Sequence, residues 1–265
     1  MSKLIYIGGY GRSGSTLLEY LLTAHPAVVA CGEVERHLRR FGRRKICTCG
    51  RRMKDCPIWG AFQHKKGKLK GWNHEQLTLA LLKHTSPLYA VMVDSSKTAW
   101  GTLLAPFRLR RQIGQDFLLI HLVRDPRGVC WSVIRTPRRG RKAGKKSPDG
   151  PRAAIGWTWA NLACEIFGWV NPNLYLRVRY EDIVLAPHQV VGDVLKRVRL
   201  QPPSDIENPN SADNRHQLYG NTMRFKPLSD IKEDVAWREA MPPSIRRLVT
   251  ILCWPLGAWY GYFRR

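Results

Sequence analysis

The first twenty-two residues constrain the chain most. An apolar, β-branched run, Leu4-Ile5-Tyr6-Ile7, enters a glycine-rich turn, Gly8-Gly9-Tyr10-Gly11-Arg12-Ser13-Gly14. The segment that follows, from Ser15-Thr16 to Leu21-Leu22, has leucines at helical spacing. This order reads as strand, phosphate loop and helix. Gly9 to Thr16 fits the triphosphate-binding pattern G-x-x-x-x-G-K-[ST], except that Ser15 stands where the lysine belongs. Backbone N–H groups at a helix N-terminus can still cradle a phosphate there. The grip on β- and γ-phosphates is missing, and a cation lies three residues earlier, at Arg12. The loop therefore suits a phosphorylated ligand other than ATP or GTP.

Later strands supply the rest of a sheet. Val28-Val29-Ala30 reads as a short strand ending at Cys31-Gly32-Glu33, and Tyr89 to Val93 as a buried strand leading to Asp94-Ser95-Ser96-Lys97. Phe117 to Val123 is a strong buried-strand signal running into Arg124-Asp125-Pro126, after which a helix carries Ser132. Leu174 to Tyr180 reads as a strand before Glu181-Asp182. Helices are expected at Gln76 to Lys83, Leu103 to Gln112, Trp157 to Val170, Val190 to Val198 and Trp237 to Arg247. Alternation of strand and helix predicts an α/β fold, a P-loop-like three-layer arrangement with a central parallel sheet flanked by helices.

In such a sheet, residues just past the strands' C-terminal ends face the ligand crevice. That makes Glu33, Lys97 and Arg124 candidates. Glu33 is otherwise a solvated carboxylate or a partner of Arg36, and Lys97 otherwise one more surface lysine. Arg124 and Ser132, about two helical turns further on, are placed to grip one anion together. Arginines on both sides of Asp125 put positive charge where a Walker-B metal would sit. Trp157 or Trp159 is a candidate pocket wall.

The chain has 265 residues, enough for one domain, and 44% hydrophobic residues, enough for a sizeable core. Its 44 basic and 20 acidic residues give a net charge of +24, a field that attracts polyanions without choosing among them. Much of it lies in a cysteine-containing insertion at about 36–70 and in a flexible basic loop or lid at about 136–150. In the insertion, Cys47, Cys49 and Cys56 are close enough in sequence to hold zinc with Cys31, His37 or His64 as a fourth ligand. Their spacing is not a common zinc pattern, so no metal is assigned. The alternative is thiols packed beneath Trp59 and Phe62. An odd count of seven cysteines and the absence of a secretory signal point to a reducing, cytoplasmic setting. No apolar run is long enough to span a bilayer. The last one, Leu248 to Phe263, is broken by Pro255 and Gly257 and is expected to pack on the sheet or to touch a membrane surface.

Four stretches together resemble the sulfotransferases that use 3′-phosphoadenosine 5′-phosphosulfate (PAPS). The loop Arg12-Ser13-Gly14-Ser15-Thr16 matches the family's R-S-G-[ST]-[ST] form at every position. Arg124 and Ser132 match its arginine and serine for the 3′-phosphate. Tyr180-Glu181-Asp182 and the Gly220-Asn221 to Arg224 stretch are similar to later family segments, as is Cys56-Pro57-Ile58-Trp59 to bacterial members. The piece from His25-Pro26 to Arg36 is especially similar to the tyrosylprotein sulfotransferase branch, whose catalytic base is a glutamate at the position of Glu33. Those enzymes are lumenal and anchored, and only the base is carried over here, not the tyrosine substrate.

The resemblance implies a single sulfotransferase domain with PAPS as co-substrate and no metal requirement. Glu33, Lys97 and Arg12 would be catalytic, with His37 as the alternative base. Arg12, Ser13, Gly14, Ser15, Thr16, Arg124, Ser132 and Tyr180 would bind the nucleotide, with Arg224 closing over the 3′-phosphate end. The acceptor is open: a carbohydrate, a lipid or another small molecule, anionic ones included, bound by segments such as 36–75 and 136–160. Specific nucleic-acid binding is not expected. Rival readings are a small-molecule kinase, opposed by the absent loop lysine, and a basic nucleic-acid- or membrane-binding protein without catalysis.

Overall fold

The computed structural model describes residues 2–39, 46–63, 71–136, 149–203, 214–225 and 231–263. Strands β1 (Lys3–Gly8), β2 (Val28–Gly32), β3 (Val91–Asp94), β4 (Phe117–Val123) and β5 (Tyr175–Arg179) form one sheet in the order β2-β3-β1-β4-β5. All pairings are parallel. The helices are α1 (Ser15–Leu22), α2 (Val34–Arg39), α3 (Gly60–Gln63), α4 (His74–Thr85), α5 (Ala105–Ile113), α6 (Pro126–Ile134), α7 (Asp149–Val170), α8 (Tyr180–Leu185), α9 (Pro187–Arg197), α10 (Trp237–Ala240) and α11 (Pro243–Trp259).

The continuous apolar strands follow from a sheet covered on both faces. Along β1 successive side chains point to opposite sides. Leu4 and Tyr6 join Met92, Leu119, Leu77, Leu109 and Phe167 in one core, against α4, α5 and α7. Ile5 and Ile7 join Val93, Ile120, Leu18, Leu21, Val191 and Leu195 in the other, against α1 and α9. Burying each such side chain stabilises by about 1.5–3 kcal/mol. The third layer thus follows from the two-residue period of the strands. Edge strand β5 is less buried and carries Arg177 and Arg179, charges that discourage pairing with another chain.

After β1 the chain crosses to one side of the sheet for β2 and β3, then to the other for β4. The switch point lies at β1, where the glycine loop emerges, and ligands of open parallel sheets bind at such a point.

The C-terminal region departs from expectation. Trp237 to Arg247 is not one helix. Met241 is extended (φ −82°, ψ 122°) because a residue before proline is pushed out of the helical region. Pro243 then opens α11, which continues past Pro255 to Trp259. Its inner face, with Val249, Cys253 and Leu256, packs with Val129, Ala154 and Trp157. Residues 40–45, 64–70 and 137–148, which hold much of the basic insertion and lid, lie outside the described residues. Among the described residues no helix is long and apolar enough to cross a membrane.

Candidate active site

The loop after β1 is shaped by two glycines. Gly9 has φ +96°, and a Cβ there would lie 2.3 Å from the Leu122 carbonyl oxygen. Gly14 has φ +97°, and its Cβ would lie 2.5 Å from the Tyr180 ring. Gly14 is the N-cap of α1, and no side chain caps the helix. The helix dipole and the first-turn N–H groups of Ser15 and Thr16 are therefore available to an anion. The buried Ser13 hydroxyl has no hydrogen-bond partner among the described residues. An orphaned buried donor beside an uncapped helix start fits a bound phosphate.

Arg12 and Lys97 are non-glycine residues at φ +73° and +70°. Left-handed backbone at such residues costs about 1–3 kcal/mol and persists only where neighbours impose it. For Lys97 the neighbours are visible. The Tyr6 hydroxyl donates to the Lys97 carbonyl. Thr98 N–H donates to the Gly9 carbonyl at 3.1 Å, and Gly9 N–H to Thr98 Oγ1 at 2.9 Å. Asp94 accepts from Ser96 N–H at 2.9 Å and from the Ser96 hydroxyl at 2.5 Å. Its other oxygen accepts from Thr78 and meets His74 Nε2 at 2.8 Å. Burial lowers the His74 pKa, but Asp94 outweighs it and the net shift is upward. His74 thus secures a wholly buried carboxylate, which secures the turn that aims Lys97.

Lys97 Nζ lies 2.5 Å from Glu33 Oε1, and Arg36 Nη1 lies 2.6 Å from Glu33 Oε2. Glu33 thus pairs with Arg36, as one sequence alternative had it, and also with Lys97. Burial raises the Glu33 pKa; Lys97, Arg36 and Arg12 reverse that and hold it below the usual carboxylate range. Arg12 is lowered by burial, then by Arg36, with Glu33 opposing.

Arg124 is buried and stacks 4.3 Å over the Tyr180 ring. It donates to the Arg12 carbonyl at 3.1 Å, which ties the end of β4 to the phosphate loop. It also donates to the Asp234 carbonyl at 2.9 Å, and the Asp234 carboxylate lies 3.3 Å from it and 2.5 Å from Arg135. A protein carboxylate thus occupies an anion position beside Arg124. Ser132 is buried on α6, about two turns into the helix that follows β4. Both Asp125 oxygens are taken by Arg127, and Asp125 caps α6, so it is not a free metal carboxylate.

Other expectations are redistributed. Arg224 feels the charges of Glu33 and Arg36 and donates to the Gly220 and Asn221 carbonyls. It was expected at the 3′-phosphate end; the charged groups that act on it here are Glu33 and Arg36. Glu181 accepts from Asp125 N–H and the Tyr262 hydroxyl, a brace between β4 and the C-terminus. Trp157 is fully buried and donates to the Arg124 carbonyl, whereas Trp159 is exposed. His37 is enclosed against Trp59, and burial lowers its pKa to about 4, which disfavours it as the base. Cys47, Cys49 and Cys56 do converge, but the fourth group beside them is His216. Cys31 and His37 are not part of that cluster, and His64 lies outside the described residues.

Two supporting residues escaped the sequence reading. Glu19 faces inward on α1, accepts from Gly32 N–H at 3.1 Å and from Gln217 Nε2 at 2.9 Å. Burial pushes its pKa up to about 8, with Lys97 and Ser95 opposing. The signal was a carboxylate between Leu18 and Leu21 on an apolar helix face. For His74, whose partner lies on another element, the sequence carried no signal.

A sequence profile described as the sulfotransferase family matches residues 5–203. Among curated proteins none matches the chain. The fold is similar to the sulfotransferase domain from the curacin biosynthetic pathway, at 17% identity and TM-score 0.62, covering 100% of this chain and 99% of that one. It is also similar to the sulfotransferase domain of the Synechococcus PCC 7002 olefin synthase, at 19% identity and TM-score 0.56, covering 99% and 95%. A sulfotransferase from Alicyclobacillus acidocaldarius aligns at 14% identity and TM-score 0.52, covering 98% and 96%.

Proposed function

Because the chain belongs to the sulfotransferase family, we propose that it takes its sulfuryl group from PAPS and passes it to a hydroxyl or amine acceptor, releasing adenosine 3′,5′-bisphosphate. One observation carries this reading. Two anion positions, the uncapped start of α1 and the buried Arg124 guanidinium faced by the Asp234 carboxylate, are joined by the Arg124 to Arg12 hydrogen bond. A nucleotide with phosphates at both 5′ and 3′ ends needs that pairing; ATP does not.

The reaction needs in-line geometry and neutralised charge on a loose transition state, as phosphoryl transfer does. N–H groups of Gly14, Ser15 and Thr16, with the Ser13 hydroxyl, hold the 5′-phosphate. Arg124, Ser132 and Tyr180 hold the 3′-phosphate end, where Asp234 now lies against Arg124. The acceptor oxygen attacks sulfur, its proton passes to Glu33, and the bond from sulfur to the bridging phosphate oxygen breaks. Lys97 and Arg12 stabilise the charge that develops there, and Arg224 adds charge from the Glu33 side. Without donor, Lys97 neutralises Glu33 and keeps it a weak base. Once Lys97 turns to the sulfuryl group, Glu33 loses that partner and becomes more basic when its proton affinity is needed.

Calorimetric binding of adenosine 3′,5′-bisphosphate tests the assignment. Arg124→Ala should weaken it by about 1.5–3 kcal/mol, the scale of a charge-assisted hydrogen bond. Unchanged affinity, or equal binding of adenosine 5′-phosphate by the wild type, would sink it. Transfer of ³⁵S from labelled PAPS into a cell extract would then identify the acceptor.

The free cysteines suit a cytoplasmic setting. Exposed Trp159, Trp169, Ile251, Trp254 and Trp259 on α7 and α11 suit peripheral contact with a membrane surface, in line with tryptophan's preference for interfaces. Sedimentation with anionic vesicles should carry the protein down; no more co-sedimentation than with neutral vesicles would remove the idea.

A further inference from the structure

Away from the anion site, three thiols and an imidazole converge. Cys47 Sγ lies 3.7 Å from Cys56 Sγ. His216 Nδ1 lies 3.9 Å from Cys47 Sγ and 3.3 Å from Cys56 Sγ. With Cys49 Sγ, the four atoms all lie within 4.8 Å of one another. Zinc–sulfur bonds of about 2.3 Å and zinc–nitrogen bonds of about 2.0–2.1 Å, set tetrahedrally, place sulfurs about 3.8 Å apart and sulfur about 3.6 Å from nitrogen. The separations among Cys47, Cys56 and His216 therefore match an ion's coordination edges, and Cys49 Sγ lies within reach of the same point. No disulfide links these residues.

Trp59 N–H donates to Cys56 Sγ at 3.5 Å. A donor aimed at sulfur orients it as an outer-shell partner of a metal does. Three sulfurs and an imidazole nitrogen gathered in one largely buried spot are the donor set of a tetrahedral metal site. From this we infer that Cys47, Cys49, Cys56 and His216 bind one zinc ion. Four protein ligands close the coordination sphere, so the ion is structural and takes no part in sulfuryl transfer.

Its place in the fold gives its task. His216 N–H donates to Ala30 of β2 at 2.7 Å, and Arg215 pairs with Ala30 as an added parallel bridge. The Thr48 hydroxyl donates to the Arg215 carbonyl at 2.5 Å and accepts from Gln217 N–H at 2.9 Å. Trp59 Nε1 donates to the His216 carbonyl at 2.5 Å. The ion clamps the 46–59 excursion onto the 214–217 segment along β2, the strand that ends at Glu33. It fixes the wall of the cleft that carries Glu33 and Arg224, while the donor loop on β1 stands without it.

The test is metal analysis of the full chain, purified under reducing conditions without added metal. About one zinc per chain is expected, and cobalt uptake should give the intense visible bands of a tetrahedral thiolate site. Cys56→Ser should lose the ion. His216→Cys should keep it, because four thiolates also suit zinc, and this variant guards against a result that reflects misfolding alone. A chelator should lower the melting temperature of the wild type and leave a metal-free Cys56→Ser variant unmoved. Folded wild-type protein that contains no zinc and takes up neither zinc nor cobalt would overturn the proposal, as would a Cys47–Cys56 disulfide in the reduced preparation.

Discussion

The two sides of the cleft are built by different means. The proposed donor side comprises the phosphate loop, Arg124, Ser132 and Tyr180, all just past the ends of parallel strands or on the helix after one. Backbone closeness holds it: Gly9 against the Leu122 carbonyl, Gly14 against Tyr180, Arg124 on the Arg12 carbonyl. The opposite side collects Glu33, Lys97, Arg36 and Arg224 from segments distant in sequence. Polar cross-links hold it: the His74–Asp94 pair, the Glu19 bridge from Gly32 to Gln217, and the thiol–imidazole cluster. Donor-side substitutions should therefore change nucleotide affinity with little effect on stability. Changes in the cross-links opposite should cost stability as well as turnover.

The largest effect should come from Glu33→Gln. Turnover should fall by about 10²–10⁴-fold, the usual contribution of a general base, with bisphosphate affinity unchanged. Retained turnover would move the base elsewhere and break the division between donor and acceptor sides. His74→Ala should cost about 3–5 kcal/mol in denaturant unfolding, because it leaves the buried Asp94 carboxylate unpaired. The raised His74 pKa gives a stabilisation fully present below the unfolded value of about 6.5 and lost as pH rises through the higher folded value. The gap between wild type and variant should be widest in acid. A cost independent of pH would make His74 a packing residue rather than a charged strut.

The last effect, spread over several pH units, concerns Glu19. Its folded pKa of about 8 exceeds the unfolded carboxylate value of about 4.3. Its stabilisation is full below the unfolded value and lost as pH rises through the folded one, at up to about 1.4 kcal/mol per pH unit between them. Glu19→Gln should flatten that slope and be more stable than wild type in mild alkali. An unchanged slope would show that Glu19 is already ionised in the folded chain. Melting temperatures across pH read this directly.

The glycine loop after β1 was legible because its conformation is local. Glycines at fixed offsets, a helix start and an arginine within eight consecutive residues specify an anion site before any tertiary contact forms. The layered sheet was legible for a similar reason, since apolar runs on parallel strands can be buried only from both faces. The end of β4 at Arg124 and a following helix that carries Ser132 were legible through an apolar run and the proline after it. The C-terminal break at Met241 was encoded in the two prolines that follow it, and only the expected helix boundary failed.

Sequence by itself determined the α/β class, the phosphate loop and the candidate residues at strand ends. Tertiary structure decided what those residues meet: Lys97 on Glu33, Arg224 on the Glu33 side, Asp234 against Arg124, and His216 beside three cysteines from 160–169 positions earlier in the chain. The physical reason is the range of the interactions. Backbone conformation and periodicity are fixed by neighbours in sequence, whereas ion pairs and metal ligation depend on distances of a few ångströms that only the folded chain sets.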